Sequence, residues 1–255
     1  MRGLWWVVLL AIGIAHGQER PPGQGVNFYN KDKEIALGQQ LAVEFSQKTT
    51  PLGVAAASDY VRRVGARLAA QFPGGWTYRI ETIREDRGGA THEPTAFPGG
   101  PIFVSVDLIT AARNEAEFAG MLAHAMAHVV ARHWTRSATK SELTMADPSG
   151  GRWVGAFSED RADGNADVGR LAFQRAMESE ADYLAVKAMA AAGYDPSGLA
   201  SYVASVQAVR HSGGPFEALP PRDRRVTAIR AEVRKLPAGV YGAGDEFARV
   251  QAEVK

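Results

Sequence analysis

The feature that most restricts the fold is one apolar helix carrying two histidines. In residues 114–133, Phe118, Met121, Leu122, Ala125, Met126, Val129 and Val130 recur at i, i+3, i+4 and i+7, the spacing that gathers side chains on a helix face. So much of the segment is apolar that it predicts a largely buried helix. His124 and His128 are four residues apart on it, so both imidazoles leave one face about one turn apart. That spacing lets two ring nitrogens share one tetrahedral metal ion. By itself it suits two hydrogen-bonded core histidines equally well.

A second helical segment adds the acids. Glu178-Ser179-Glu180-Ala181-Asp182 sets Glu178 and Asp182 on one face at i and i+4. Glu178 can complete a His-His-Glu triad that leaves a fourth position for water. Asp182 can accept the N–H of a ligand histidine and set its tautomer. Glu180 reads as a solvated acidic residue. His133 lies five residues past His128, off the pair's face, so an orienting or structural role is expected for it rather than ligation. Cysteine is absent, which excludes thiolate metal sites, disulfides and cysteine nucleophiles. Lys+Arg number 29 against 28 Asp+Glu, so no charge excess points to nucleic acid.

The rest of the 255 residues is ordinary globular chain, 45% hydrophobic and 22% charged. Residues 1–17 read as a signal peptide: Arg2, an apolar run from Leu4, then small residues at Ala15 and Gly17. The expected location is periplasmic or secreted. The run is too short to span a bilayer, and no transmembrane helix is expected in the mature chain. Residues 18–255 read as one domain. Apolar periodicity predicts helices over 31–47, 54–72 and 171–191, the last ended by Gly193. Asp195-Pro196 opens another helix, and a final one covers 223–235. Period-two alternation predicts a strand over 76–83, and a short strand follows the Pro98-Gly99-Gly100-Pro101 turn over 102–106. Residues 137–170 are polar and Gly-rich and read as a long mobile loop over a site. Trp76, Trp134 and Trp153 read as core or loop anchors. The expected class is α+β, mainly helical, with a small antiparallel sheet.

Met121-Leu122-Ala123-His124-Ala125-Met126-Ala127-His128, continuing to His133, resembles the active-site helix of the HtpX-like and CAAX prenyl protease-type zinc metallopeptidases, gluzincins with an HExxH motif. Further segments match in order. Residues 27–38 resemble the family's N-terminal helix entry, and Pro98-Gly99-Gly100 with Ile102 its edge-strand motif beside the substrate cleft. Glu178 to Asp182 with the Gly193 cap resembles its third-ligand helix, and Pro220 to Arg225 its C-terminal segment ending in an arginine near the site.

The resemblance implies a zincin-type fold and one zinc per chain on His124, His128 and Glu178, with Asp182 orienting a histidine. It makes Arg225 a candidate oxyanion stabiliser and places extended peptide or unfolded protein at Gly99, Gly100 and Ile102, with membrane proximity open. Three departures stand out. Ala125 occupies the position of the general-base glutamate. Leu219 stands where relatives often carry histidine, and Glu93 where they often carry asparagine. Without a base, turnover is expected to be very low. Two readings stay open. One is a cell-envelope metalloendopeptidase whose base has been removed. The other is a natural pseudoprotease acting as a zinc-containing, peptide-binding or chaperone-like protein.

Overall fold

A computed structural model describes residue 23 and residues 25–84, 93–145, 168–206, 220–242 and 245–255. Residues 1–17, read above as a signal peptide, lie outside these residues, as do Leu219 and Trp153. In chain order the elements are α1 (Lys31–Ser46), β1 (Thr50–Pro51), α2 (Ala55–Ala69), β2 (Arg79–Arg84), β3 (Thr95–Ala96) and β4 (Pro101–Ser105). They continue with α3 (Val106–Ala111), α4 (Glu115–Val130), α5 (His133–Met145), α6 (Val168–Ala191), α7 (Ser197–Val206), α8 (Arg222–Val233) and α9 (Glu246–Val254). The class is α+β and mainly helical. No helix among the described residues is long and apolar enough to cross a membrane.

The apolar helix is α4, packed against α2, α6 and α7. Phe118, Met121, Leu122 and Met126 are completely covered. Its first turn is held by the Asn114 side chain, which accepts from the Glu117 N–H at 3.0 Å, while the buried Glu117 carboxylate accepts from the Arg113 N–H at 2.8 Å. This pairing satisfies backbone donors that a helix start leaves without partners. The helix ends at Val130, with its last periodic apolar residue, three residues short of the 114–133 segment. Arg132 adopts φ +56, a left-handed conformation uncommon for a side-chain-bearing residue. Its guanidinium is tied to Glu34 Oε2 at 2.6 Å and to the Tyr29 carbonyl. That anchor holds a turn from which α5 starts afresh at His133.

The sheet has order β1-β2-β4-β3 and is mixed, which corrects the antiparallel expectation: β2 and β4 run parallel, and the outer pairs are antiparallel. Alternation reveals a half-buried strand but not its partner's direction. The continuous burial of Pro101–Ser105 marks β4 as an interior strand. The edge beside the helices is therefore β3, not the segment around residues 98–106.

Two further differences have physical causes. Residues 137–145 belong to α5 rather than to a loop, and 146–167 lie outside the described residues. The polar look of α5 conceals buried threonines: Thr135 accepts from Asn27 Nδ2 and Thr139 from the Phe28 N–H, both at 2.9 Å. The terminal helix α9 lacks a family motif but docks Phe247, Val250 and Val254. Its Gln251 Nε2 donates to the carbonyls of Ile109 at 2.7 Å and Ala112 at 2.6 Å.

α1 is seated by a close approach. A Cβ at Gly38 would lie 1.6 Å from the Pro98 carbonyl oxygen. Gly38→Ala must therefore push α1 off the Pro98 turn, and a loss of about 1–3 kcal/mol is expected. The shift of the urea midpoint at unchanged slope measures it.

Candidate metal centre and cleft

α4 and α6 lie against each other, and this contact brings the two motifs together. The Nε2 atoms of His124 and His128 are 3.0 Å apart. Glu178 Oε2 is 3.4 Å from His124 Nε2, and its Oε1 is 3.6 Å from His128 Nε2. Donors around a tetrahedral zinc with bonds of about 2.0–2.1 Å stand roughly 3.3 Å from one another. The three donors therefore have a spacing that fits a metal ion, and two imidazoles with a carboxylate suit zinc.

Each imidazole is held from behind by its own chain of partners. His124 Nδ1 lies 2.9 Å from Asp182 Oδ1. Asp182 in turn accepts from Arg225 Nε at 2.7 Å and Nη2 at 2.8 Å, and both residues are buried. Arg225 does not appear in the wall of the cleft described below. Its Nε and Nη2 grip Asp182, which gives it a positioning role behind His124, while its buried Nη1 has no hydrogen-bond partner among the described residues.

On the other side, His128 Nδ1 lies 2.9 Å from His133 Nδ1, and His133 Nε2 lies 3.1 Å from Glu180 Oε2. Arg136 Nη1 reaches the same oxygen at 3.0 Å. The turn at Arg132 makes this possible by swinging His133 back toward α4. Glu180 is thus an anchoring acid, which corrects its reading as a solvated residue.

The proton inventory follows from these distances. With His128 Nε2 turned to the metal position, Nδ1 carries the hydrogen and donates to His133 Nδ1. His133 then carries its own hydrogen on Nε2 and donates it to Glu180. His133→Leu removes the acceptor behind His128, and a fall in metal affinity of about 10–100-fold is expected. Chelator competition measures it; unchanged affinity would mean that His133 only fills space.

Charge in the cluster is strongly coupled. Burial disfavours the His124 cation, but its hydrogen bonds to the Asp182 and Glu178 carboxylates outweigh it and lift the pKa to about 9. Burial dominates at His128 and takes it down to about 3, with Glu178 opposing and His124 and His133 assisting. Burial pushes the Glu178 carboxyl up, yet His128, His124 and Arg225 hold it well below the usual carboxylate range. The His133 hydrogen bond, with Arg136, keeps Glu180 down at about 2. The carboxylates are therefore ionised, balanced in the metal-free chain by the His124 cation, Arg225 and Arg136, and a bound metal would take the place of the His124 proton.

The triad opens on a cleft of about 740 Å³. One wall is Glu93 to Pro98, which includes the edge strand β3. The other walls come from His124, Ala125, His128 and Val129 of α4, the first turns of α5 including Trp134, and Gln174, Met177 and Glu178 of α6, with Glu34 of α1. Ala125 thus faces the same space as the triad, and no carboxylate extends from it.

Gly99, Gly100 and Ile102 are not in this wall. Ile102 is fully buried in β4. Gly99, at φ +76, would place a Cβ 2.5 Å from Ile35 Cα, and Gly100 would place one 2.2 Å from the Thr77 carbonyl. These glycines permit close backbone packing behind the edge strand. Glu34, Trp134 and Gln174 escape the sequence patterns because their contact with the cleft depends on tertiary placement.

Residues 56–233 match the model of peptidase family M48. The chain belongs to that family. Among relatives, the beta-barrel assembly-enhancing protease of Yersinia pestis is 25% identical over 188 residues, 68% of this chain and 37% of the relative. The Escherichia coli K12 protein of the same name is 23% identical over 212 residues, 74% of this chain and 42% of the relative. The mitochondrial metalloendopeptidase OMA1 of Schizosaccharomyces pombe is 38% identical over 146 residues, 54% of this chain and 40% of the relative. The M48 chain spans less than half the length of these relatives. The family supports a metalloprotease, and its members are zinc-dependent.

Proposed function

We propose that the chain is a zinc metalloendopeptidase scaffold of the cell envelope, built to act on extended segments of unfolded or membrane-associated proteins and nearly silent because Ala125 replaces the base. One observation carries the reading: His124, His128 and Glu178 converge at the cleft into which Ala125 also faces. Bound zinc would supply Lewis-acid polarisation and a more acidic water. The protein's own contributions are separate. Asp182 and His133 orient the two imidazoles, Arg225 holds Asp182, Arg136 holds the Glu180 carboxylate behind His133, and β3 offers backbone groups along the cleft to an extended chain. The envelope location rests on the export-type pattern of residues 1–17.

An intact cleft without a base also suits a protein that binds peptides without cutting them. Ala125→Glu separates the readings. Hydrolysis of an unfolded protein by the zinc-loaded variant supports the peptidase scaffold, whereas zinc and peptide binding without hydrolysis supports the pseudoprotease.

A further inference from the structure

We infer that Glu34 makes part of the cleft a subsite for a cationic substrate side chain, lysine or arginine; this rests on the peptide-cleft reading above. Glu34 is fully buried on α1 and yet lines the cleft. Its Oε2 is bonded to Arg132, while Oε1 has no hydrogen-bond partner among the described residues. The Thr135 hydroxyl lies 3.3 Å from the Arg132 carbonyl and is close enough to help hold the Glu34 carboxyl down together with Arg132. Burial outweighs both and raises it, so a further cationic donor would relieve a strained acid. A buried carboxylate oxygen without a donor is costly, and that cost is recovered when a donor reaches it.

The surroundings favour a charged donor on a long stem. Gln174 Oε1 on α6 is a second buried acceptor in the cleft wall with no hydrogen-bond partner among the described residues. Glu93 adds a third carboxylate to the wall beside Glu34 and Glu178, and no lysine or arginine is among the described residues that form it. Pro94, Phe97, Val129 and Trp134 supply apolar surface, which covers the methylenes of a Lys or Arg side chain while its head reaches the acceptors. The subsite therefore differs from the metal centre in the property it reads: the side chain of the substrate rather than its peptide bond.

The test is equilibrium binding, which needs no turnover. Zinc-loaded chain, with Ala125 retained so that bound peptide stays intact, is titrated with fluorescent peptides. These carry lysine, arginine, norleucine or glutamine at each position of one otherwise constant sequence. At one position lysine or arginine is expected to bind roughly tenfold tighter than norleucine and glutamine. In Glu34→Gln, which keeps the size of the side chain and an acceptor for Arg132, that preference is expected to fall to about twofold or less.

Equal binding of lysine and norleucine at every position would overturn the proposal, as would a preference that survives in folded Glu34→Gln. Should Glu34→Gln unfold, Glu34→Asp replaces it, and the four-residue comparison on the parent chain still decides. A Glu34-dependent preference without hydrolysis by Ala125→Glu would sink the peptidase reading alone; hydrolysis without any preference would sink the subsite alone. If no peptide binds, both fall.

Discussion

Ala125→Glu is expected to raise the rate of peptide-bond hydrolysis by about 10²–10⁴-fold over the parent chain. The reason is local. Ala125 lies on α4 directly after His124, is only 3% exposed, and lines the cleft with both histidines. A glutamate there extends a carboxylate into existing space and suits a helix interior. It replaces no member of the triad, so metal binding is expected to persist. Ala125→Gln is the companion: nearly the same shape, no base, and therefore no gain. Initial rates on one unfolded substrate, with zinc content measured for each protein, give the comparison. Equal rates for all three zinc-loaded proteins would show that the missing base is not what limits this chain.

Arg225→Met is expected to cost about 3–5 kcal/mol of stability, the typical loss when one member of a buried ion pair is removed. Arg225 is 2% exposed and Asp182 5%. The forked bonds from Nε and Nη2 satisfy both Asp182 oxygens. Methionine fills much of the space but leaves a buried carboxylate facing His124 alone. Asp182→Asn in the same chain is expected to recover part of the loss, because it removes the uncompensated charge. Calorimetric or urea unfolding of the two single variants and the double variant reads the coupling directly. A loss below about 1 kcal/mol for Arg225→Met would place the pair in the class of weak surface contacts.

The convergence of His124, His128 and Glu178 was legible because helical spacing converts sequence positions into a shared face, and two such faces meet at one contact between α4 and α6. Asp182 was legible for the same reason, being one turn from Glu178. Glu180 was not. It points to a histidine that reaches His128 only because Arg132 adopts a left-handed turn, and although the apolar periodicity stops at Val130, it does not show where the chain goes next. The sheet shows the same limit: strands β2 and β4 are visible as patterns, but their parallel pairing and the edge position of two-residue β3 are products of the chain path. For α5, polarity suggested a loop because threonines that bond the N-terminal segment resemble threonines that face water. A signal for α9 existed in the i, i+3, i+7 spacing of Phe247, Val250 and Val254, although the helix is short.

The most direct measurement is zinc stoichiometry of the unaltered chain by elemental analysis after zinc-replete preparation, beside His124→Ala and Glu178→Gln. About one zinc per chain is expected, with a large loss in His124→Ala and weakened retention in Glu178→Gln. A parent chain that stays metal-free, or binds zinc equally well with His124 replaced, would contradict a metal centre built from α4 and α6.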